Sequence, residues 1–267
     1  MSLLELRHTT GRNSPGGRLE SVWSTVDGLR MHARVATAAA PAGAKAVVLV
    51  HGLGVSSRYM IPTAEQLAPH YRVYAPDLPG FGRSDRPPHL LDIRGLANAL
   101  AAWLRQAGPG RAALLGNSLG CQVIVDLAVR RPELVERAVL VGPTLDPEAR
   151  SLWRQIARGV LDVFREPLSL WPIVAYDYLT AGPVYILRTL QRAVEDPVAD
   201  KLPCVRVPAL VIRGSRDPIV PQRWAEAMIR RLPAGRLVVL EGVAHAANYS
   251  APVELARVVR PFLDEAP

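Results

Sequence analysis

Three stretches of the 267-residue chain contain residues that could carry out nucleophilic catalysis. The first is Gly116 to Gly120, in which Ser118 is the centre of a Gly-x-Ser-x-Gly sequence. This pentapeptide is typical of a strand that turns sharply into a helix, where glycines avoid backbone collisions and the serine is exposed at the apex. An ordinary glycine-rich turn is equally compatible with five residues alone, so the hypothesis requires partner residues elsewhere.

A serine hydroxyl is a weak nucleophile unless a base takes its proton, and an acid must hold that base in one tautomer. Asp217 follows one predicted strand near the C-terminus, and His245 follows the next. Because the loops at the carboxyl ends of parallel strands face one crevice, we expect Ser118 to meet both. Asp146 is an alternative position for the acid, and Asp217 could also be only a turn residue.

The order of predicted elements indicates an α/β fold. A hairpin is predicted at Asp27-Gly28, and short β-rich runs then alternate with helical runs. This alternation requires right-handed crossovers and predicts a mostly parallel, doubly wound sheet. We assign residues 20–143 and 204–267 to this core, and we expect the polar, glycine-rich residues 1–19 to be a poorly ordered lead-in.

Residues 144–203 interrupt the alternation. They contain no β-rich run, and prolines divide them into about three predicted helices. Apolar residues recur there at helical spacing: Leu152, Ile156, Val160 and Phe164. We therefore predict a helical cap inserted into a single domain.

Composition limits the classes of partner. The net charge is +8, but the basic residues are scattered and nearly all arginine, which favours a solvated surface over a nucleic-acid site. No stretch approaches the roughly 20 uncharged apolar residues that a membrane helix needs, and no signal peptide is evident, so we expect a cytoplasmic protein without a membrane partner. The two cysteines have no metal-type spacing, and we expect no metal site. The oligomeric state is left open.

The motifs together resemble those of the α/β-hydrolase superfamily, from about residue 20 to the C-terminus. The matching segments are His51-Gly52-Leu53-Gly54, Asp77-Leu78-Pro79-Gly80-Phe81-Gly82-Arg83-Ser84-Asp85, the Ser118 pentapeptide, Gly214-Ser215-Arg216-Asp217-Pro218 and Gly242-Val243-Ala244-His245. Their order of nucleophile, acid and histidine is the superfamily's order. The resemblance implies catalysis without a cofactor and an oxyanion hole formed by the backbone N–H groups of Leu53 and Leu119. It also implies that His51 braces its loop.

The type of nucleophile narrows the chemistry within that superfamily. Haloalkane dehalogenases and epoxide hydrolases of this fold use a carboxylate, and dienelactone hydrolases use cysteine, so Ser118 argues against all three. We predict a carboxylesterase-like serine hydrolase that acts on a small molecule with an apolar acyl or aromatic group. The alternatives are a carbon–carbon bond hydrolase of the meta-cleavage-product type, a lactonase or thioesterase, and a non-catalytic ligand-binding receptor.

The cap is expected to supply the substrate pocket. Trp153, Trp171 and Tyr178 are candidate apolar walls, although each could instead pack the cap onto the core. Arg188 is a candidate for binding a substrate carboxylate, as a cap arginine does in meta-cleavage-product hydrolases. A solvated helix face is the alternative explanation for Arg188.

Overall fold

Short β-branched runs form the strands of one nine-stranded sheet in the computed structural model, which describes residues 5–6, 19–36 and 40–266. The strands are β1 (Glu5–Leu6), β2 (Glu20–Val26), β3 (Leu29–Ala36), β4 (Ala46–Val50), β5 (Arg72–Pro76), β6 (Ala112–Asn117), β7 (Val135–Val141), β8 (Ala209–Gly214) and β9 (Gly235–Leu240). Their order in the sheet is β1-β2-β3-β5-β4-β6-β7-β8-β9. Strands β4 to β9 run parallel, and the first three are antiparallel additions at one edge. The mostly parallel α/β sheet is therefore confirmed.

Helices cover both faces of this sheet. They are α1 (Ile61–Leu67), α2 (Ile93–Gln106), α3 (Leu119–Arg130), α4 (Leu152–Val163), α5 (Trp171–Ala181), α6 (Pro183–Glu195), α7 (Val198–Lys201), α8 (Gln222–Arg231), α9 (Ala247–Ser250) and α10 (Pro252–Asp264). Short 3-10 turns lie at Ser57–Met60, Pro132–Leu134, Pro147–Ala149, Leu168–Leu170 and Leu202–Cys204. Helices α2, α3 and α8 pack in one apolar cluster, and α1 and α10 pack in the other. Successive residues of β4 alternate between the two clusters, as in a strand that is buried on both faces.

The Asp27-Gly28 hairpin forms as its sequence predicts. Both residues have positive φ, 49° and 82°, which are the angles that a tight two-residue hairpin loop requires. Most of the expected N-terminal lead-in, residues 1–4 and 7–18, lies outside the described residues. Within it, Glu5–Leu6 pairs antiparallel with β2.

The segment 144–203 contains helices α4 to α7 and no strand. Its tyrosines approach core loops closely enough to require glycine there. A Cβ atom on Gly54 would overlap the ring of Tyr178, and a Cβ on Gly80 would overlap the hydroxyl of Tyr185; both glycines also have positive φ. The cap is thus seated directly on the loops that follow β4 and β5. No helix among the described residues is long and apolar enough to cross a bilayer.

Candidate active site

Ser118 lies at the sharp junction between β6 and α3. Its φ of 55° and ψ of −119° are a rare combination for a residue with a side chain, as expected of a nucleophile held at a strained apex. A Cβ on Gly116 would lie 2.7 Å from the carbonyl carbon of Gly120, and a Cβ on Gly120 would overlap the carbonyl oxygen of Val50. The two glycines therefore allow strand and helix to cross closely, which places Ser118 at the carboxyl edge of the sheet.

The close crossing predicts a stability effect. We expect Gly120→Ala to lower the free energy of unfolding by about 3 kcal/mol, because the added methyl group meets backbone that cannot move aside cheaply. Gly159→Ala, within α4, is the matched control. A Cβ there has no neighbour within 4 Å, so the change is expected to stabilise the protein by up to about 1 kcal/mol. Urea unfolding of both variants checks the difference, and equal midpoints would contradict it.

Asp217 and His245 form a buried pair at the ends of β8 and β9. The Nδ1 of His245 donates to Oδ2 of Asp217 at 2.8 Å, and the two residues are 6 % and 4 % exposed. The other carboxylate oxygen, Oδ1, accepts the backbone N–H groups of Ile219 at 2.7 Å and Val220 at 3.0 Å. Because an ionised carboxylate only accepts hydrogen bonds, the proton of the neutral imidazole is on Nδ1 and Nε2 is left as a base.

His245 and Ser118 line the same cavity. Within the described part of the chain, the buried Nε2 atom has no hydrogen-bond partner. Gly142, at the end of β7 with a φ of 55°, makes room for the imidazole, since a Cβ there would lie 2.8 Å from Nδ1. The structure thus brings Ser118, Asp217 and His245 to one place from three separate strand ends.

The side chain of Asn117, next to the nucleophile, ties two of these strand ends together. Its Nδ2 donates to the carbonyl oxygens of His245 at 3.2 Å and Val141 at 3.3 Å. Its Oδ1 accepts the hydroxyl of Tyr59 at 3.1 Å. Asn117 therefore fixes the distance between the serine turn and the histidine loop. The motif alone does not indicate this role.

Leu53 and Leu119, whose backbone N–H groups are the oxyanion donors that the resemblance implies, both border the cavity. Leu119 is the first residue of α3, and Leu53 lies in the loop after β4. Neither N–H donates a hydrogen bond within the described residues. Two such donors aimed at a developing oxyanion could each lower the barrier by about 3 kcal/mol.

The loop that carries Leu53 is braced by His51, as the sequence predicts. The Nε2 of His51 accepts the backbone N–H of Leu78 at 2.9 Å, so Nδ1 carries the hydrogen that is donated to the carbonyl of Gly52 at 2.8 Å. Burial lowers the pKa of His51, which keeps the ring neutral in this arrangement. The His51 ring therefore connects the loops after β4 and β5 through two hydrogen bonds.

The carboxylate of Asp77 also holds these loops in place. Asp77 accepts the Nδ1 hydrogen of His32 at 2.8 Å and the backbone N–H groups of Ser57 and Arg83 at 2.6 and 2.9 Å. Burial alone would raise the pKa of Asp77, but these hydrogen bonds and the neighbouring histidines lower it to about 2. The motif around Asp77 gives no sign of this partner, because His32 lies on the distant strand β3.

Two further carboxylates, both from the cap, face the histidine loop. Asp162 accepts the backbone N–H of His245 at 3.3 Å, and Glu166 accepts that of Ala246 at 2.6 Å. Burial raises the pKa of both acids, that of Glu166 to about 7. Burial alone would lower the pKa of His245, but the charge and hydrogen bond of Asp217 and the charges of the two cap acids raise it to about 9. Sequence reasoning missed this pair, in which Asp162 lies in the last turn of α4 and Glu166 in the turn that follows the helix.

These charges predict a pH dependence. His245 must be neutral to accept a proton, so kcat/KM for a neutral ester should rise with pH until the histidine pKa is passed. Glu166→Gln removes one of the charges that raise this pKa while its Oε1 still accepts the N–H of Ala246. We expect the rising limb to move to lower pH and kcat/KM at pH 7 to increase severalfold.

The control for this profile is Glu148→Gln, which removes an exposed cap acid that pairs with Arg223. Its pH profile should coincide with that of the unaltered protein. An unshifted limb in Glu166→Gln would show that this carboxylate does not influence His245.

The cavity between cap and core has a volume of about 660 Å³ and is lined mainly by apolar side chains. Trp171 and Tyr178 line it, as the sequence predicts. Trp153 and Arg188 do not: both side chains are exposed on the outside of the cap. The charged residues in the lining are Asp162, Glu166 and His245, and no lysine or arginine is among them. Within the described chain, no group of three or more histidine, cysteine or acidic residues could hold a metal ion.

Comparisons with known proteins agree with this geometry. A sequence profile described as "Alpha/beta hydrolase family" matches residues 47–258. The chain belongs to the alpha/beta hydrolase family. This confirms the resemblance seen in the motifs, and it supports hydrolysis as the class of reaction.

Among proteins of this family with a curated function, the chain is similar to two pimeloyl-[acyl-carrier protein] methyl ester esterases. The one from Aeromonas salmonicida is 30 % identical over 81 % of this chain and 94 % of the relative. The one from Vibrio vulnificus is 27 % identical over 77 % and 89 %. Among solved structures, the enol-lactonase from Burkholderia xenovorans has a TM-score of 0.78 at 24 % identity, covering 91 % of this chain and all of the other. At that identity, the likeness to the lactonase concerns the fold alone.

Proposed function

We propose that this protein is a cofactor-independent serine esterase that hydrolyses neutral carboxylic esters with an apolar acyl group. The proposal is carried by two observations: Ser118 and His245 line the same cavity, and His245, whose Nδ1 is held by Asp217, has no hydrogen-bond partner at Nε2 among the described residues. The methyl ester esterases among the relatives support an ester as the substrate class.

The proposed mechanism follows from the hydrogen bonds. His245 Nε2 takes the proton of Ser118 as the hydroxyl oxygen attacks the ester carbonyl, and Asp217 stabilises the resulting imidazolium. The N–H groups of Leu53 and Leu119 bind the oxyanion. His245 then gives its proton to the leaving alcohol, and a water molecule activated by the same nitrogen hydrolyses the acyl-enzyme.

The composition of the cavity lining favours a neutral substrate over an anionic one. Asp162 and Glu166, in their ionised forms, would repel a substrate carboxylate, and His245 is the lining residue that could carry a compensating positive charge. Arg188, the cation that could have bound such a group, lies outside the cavity. This weighs against carbon–carbon cleavage of a diketone acid, the first alternative from the sequence. A small-molecule substrate, a cytoplasmic location and the absence of a nucleic-acid partner stay predictions.

A panel of p-nitrophenyl esters tests the proposal. We expect kcat/KM to rise by up to about fourfold for each CH₂ added to the acyl chain until the cavity is filled, because each buried CH₂ contributes about 0.8 kcal/mol. A vinylogous diketone acid should be a poor substrate. Faster cleavage of that acid than of any ester would overturn the assignment, and so would a flat response to chain length.

A further inference from the structure

The outside of the cap exposes an unusual amount of apolar surface. Of the fourteen large apolar residues that are conspicuously exposed in the described chain, twelve lie in α4, α5, the start of α6 and the turns between them. Five of the twelve line the cavity: Val160, Val163, Trp171, Tyr178 and Leu187. The other seven lie outside the cavity: Trp153, Leu161, Phe164, Leu168, Tyr176, Leu179 and Val184. Scattered single apolar residues are normal on a protein surface, but a concentration on one element marks an interaction site.

Helix α4 has apolar side chains on its outer side as well as on the side of the cavity. Ile156, Val160 and Val163 line the cavity together with the buried Gln155 and Asp162, and the large side chains that face away from the cavity are also apolar. Trp153 is 77 % exposed, Leu161 46 % and, at the C-cap, Phe164 73 %. These three positions are separated by eight and three residues, so they share one side of the helix. We call Trp153, Leu161 and Phe164 the outer stripe.

The outer stripe continues to the mouth of the cavity. The ring of Phe164 lies 6.4 Å from that of Trp171 in an edge-on arrangement, and the indole N–H of Trp171 donates to the carbonyl of Val163 at 3.2 Å. Trp171 and Val163 are both exposed and both line the cavity. Leu168, in the segment that connects Val163 to Trp171, is 74 % exposed. An apolar path therefore leads from the outside of the cap to the site of Ser118.

The exposed charges around this surface are mostly positive. Between residues 147 and 195, the exposed acids are Glu148 and Glu195, and both are paired with arginines. The exposed basic residues in the same range are Arg150, Arg154, Arg165, Arg188 and Arg192. Exposed apolar side chains on a segment whose exposed charges are mostly arginines suit an anionic lipid surface, in which the apolar side chains enter the acyl boundary and the arginines meet headgroups.

We propose that the outer stripe and Leu168 dock this protein on an anionic lipid surface, from which an apolar ester enters the cavity directly. A second copy of the chain fits the face less well, because a two-fold interface would set the arginines of one copy against those of the other. An acidic carrier protein would match the arginines but leaves the exposed Trp153, Phe164 and Leu168 without a stated role. The expectation of no membrane partner was based on spanning segments, and surface docking needs none.

Vesicle co-sedimentation tests this docking independently of the proposed function when Ser118→Ala protein is used. We expect binding to vesicles of phosphatidylcholine with phosphatidylglycerol, weaker binding to phosphatidylcholine alone, and a shift of tryptophan emission to shorter wavelength on binding. Changing Trp153, Phe164 and Leu168 together to serine should weaken binding by about tenfold or more. The matched control changes Val239 and Val253 to serine, since these are exposed apolar residues outside the cap.

Each result decides for or against the proposal. The triple cap variant and the Val239 and Val253 control variant are also made with Ser118 intact. Unaltered hydrolysis of soluble p-nitrophenyl acetate shows that both are folded. The proposal fails if Ser118→Ala protein with an unaltered cap does not bind the anionic vesicles, or if the triple cap variant binds them equally well. It also fails if light scattering finds a dimer that the cap variant abolishes, or if an acidic acyl carrier protein binds and the vesicles do not.

Discussion

Replacing Ser118 with alanine is expected to lower kcat for a soluble p-nitrophenyl ester by about 10⁶-fold, the loss typical of removing the nucleophile of a serine hydrolase. The side chain is half-buried at the mouth of a cavity that is otherwise mainly apolar. Alanine fits the same backbone without a new contact, so binding of the ester should change little. Steady-state kinetics with the purified variant measure the loss.

A matched control distinguishes the loss of the nucleophile from a loss of activity during purification or through misfolding. Ser169→Ala removes the hydroxyl of an exposed cap serine whose backbone carbonyl accepts the hydroxyl of Tyr249, a contact that the substitution retains. Its activity should equal that of the unaltered protein. Comparable activity in Ser118→Ala and Ser169→Ala would remove Ser118 from the mechanism.

Replacing Asp217 with asparagine is expected to lower kcat by about 10⁴-fold through the tautomer of His245. The Oδ1 position of residue 217 accepts two backbone N–H groups, so the amide of asparagine must place its oxygen there and its NH₂ group against His245 Nδ1. An NH₂ group donates, which moves the imidazole proton to Nε2. His245 then has no free nitrogen with which to take the proton of Ser118.

The control for this variant is the other candidate acid. Asp146 is also buried at the end of a strand, but it pairs with Arg223 and Arg158 and has no hydrogen bond to His245. Asp146→Asn should therefore keep its activity at temperatures where the protein is folded. An equal loss in both variants would mean that general destabilisation, and not the tautomer, explains the effect at Asp217.

The sequence was sufficient to predict the mostly parallel core, because its strands and helices have clear hydrophobic periodicity and clear ends. The apolar run of β4 is buried on both faces, and helix α2, Ile93–Gln106, buries apolar residues that recur at helical spacing, among them Leu96, Leu100 and Leu104. The order of strands in the sheet was not readable, since β5 lies between β3 and β4 by pairing across distant parts of the chain. Local spacing carries no information on such pairings.

The cap shows where periodicity misleads. Apolar residues at helical spacing normally face inward, and Ile156 and Val160 do line the cavity, but Phe164 is exposed and the polar Asp162 and Gln155 are buried. The two polar residues are buried because the inner side of α4 covers a cavity with a polar end, where carboxylates accept the backbone N–H groups of the histidine loop. The helix and part of its inner face were predictable, but the buried polar residues and the exposed Phe164 were not.

Inhibition by a fluorophosphonate, followed by mass analysis of the proteolysed protein, tests the central claim most directly. An activated serine in the arrangement of Ser118, His245 and Asp217 should form a single covalent phosphonyl adduct on the peptide that contains Ser118. The adduct should form much more slowly in Asp217→Asn and be absent from that peptide in Ser118→Ala. A folded protein that forms no adduct, or an adduct on another serine that accounts for the loss of activity, would contradict the assignment of Ser118 as the nucleophile.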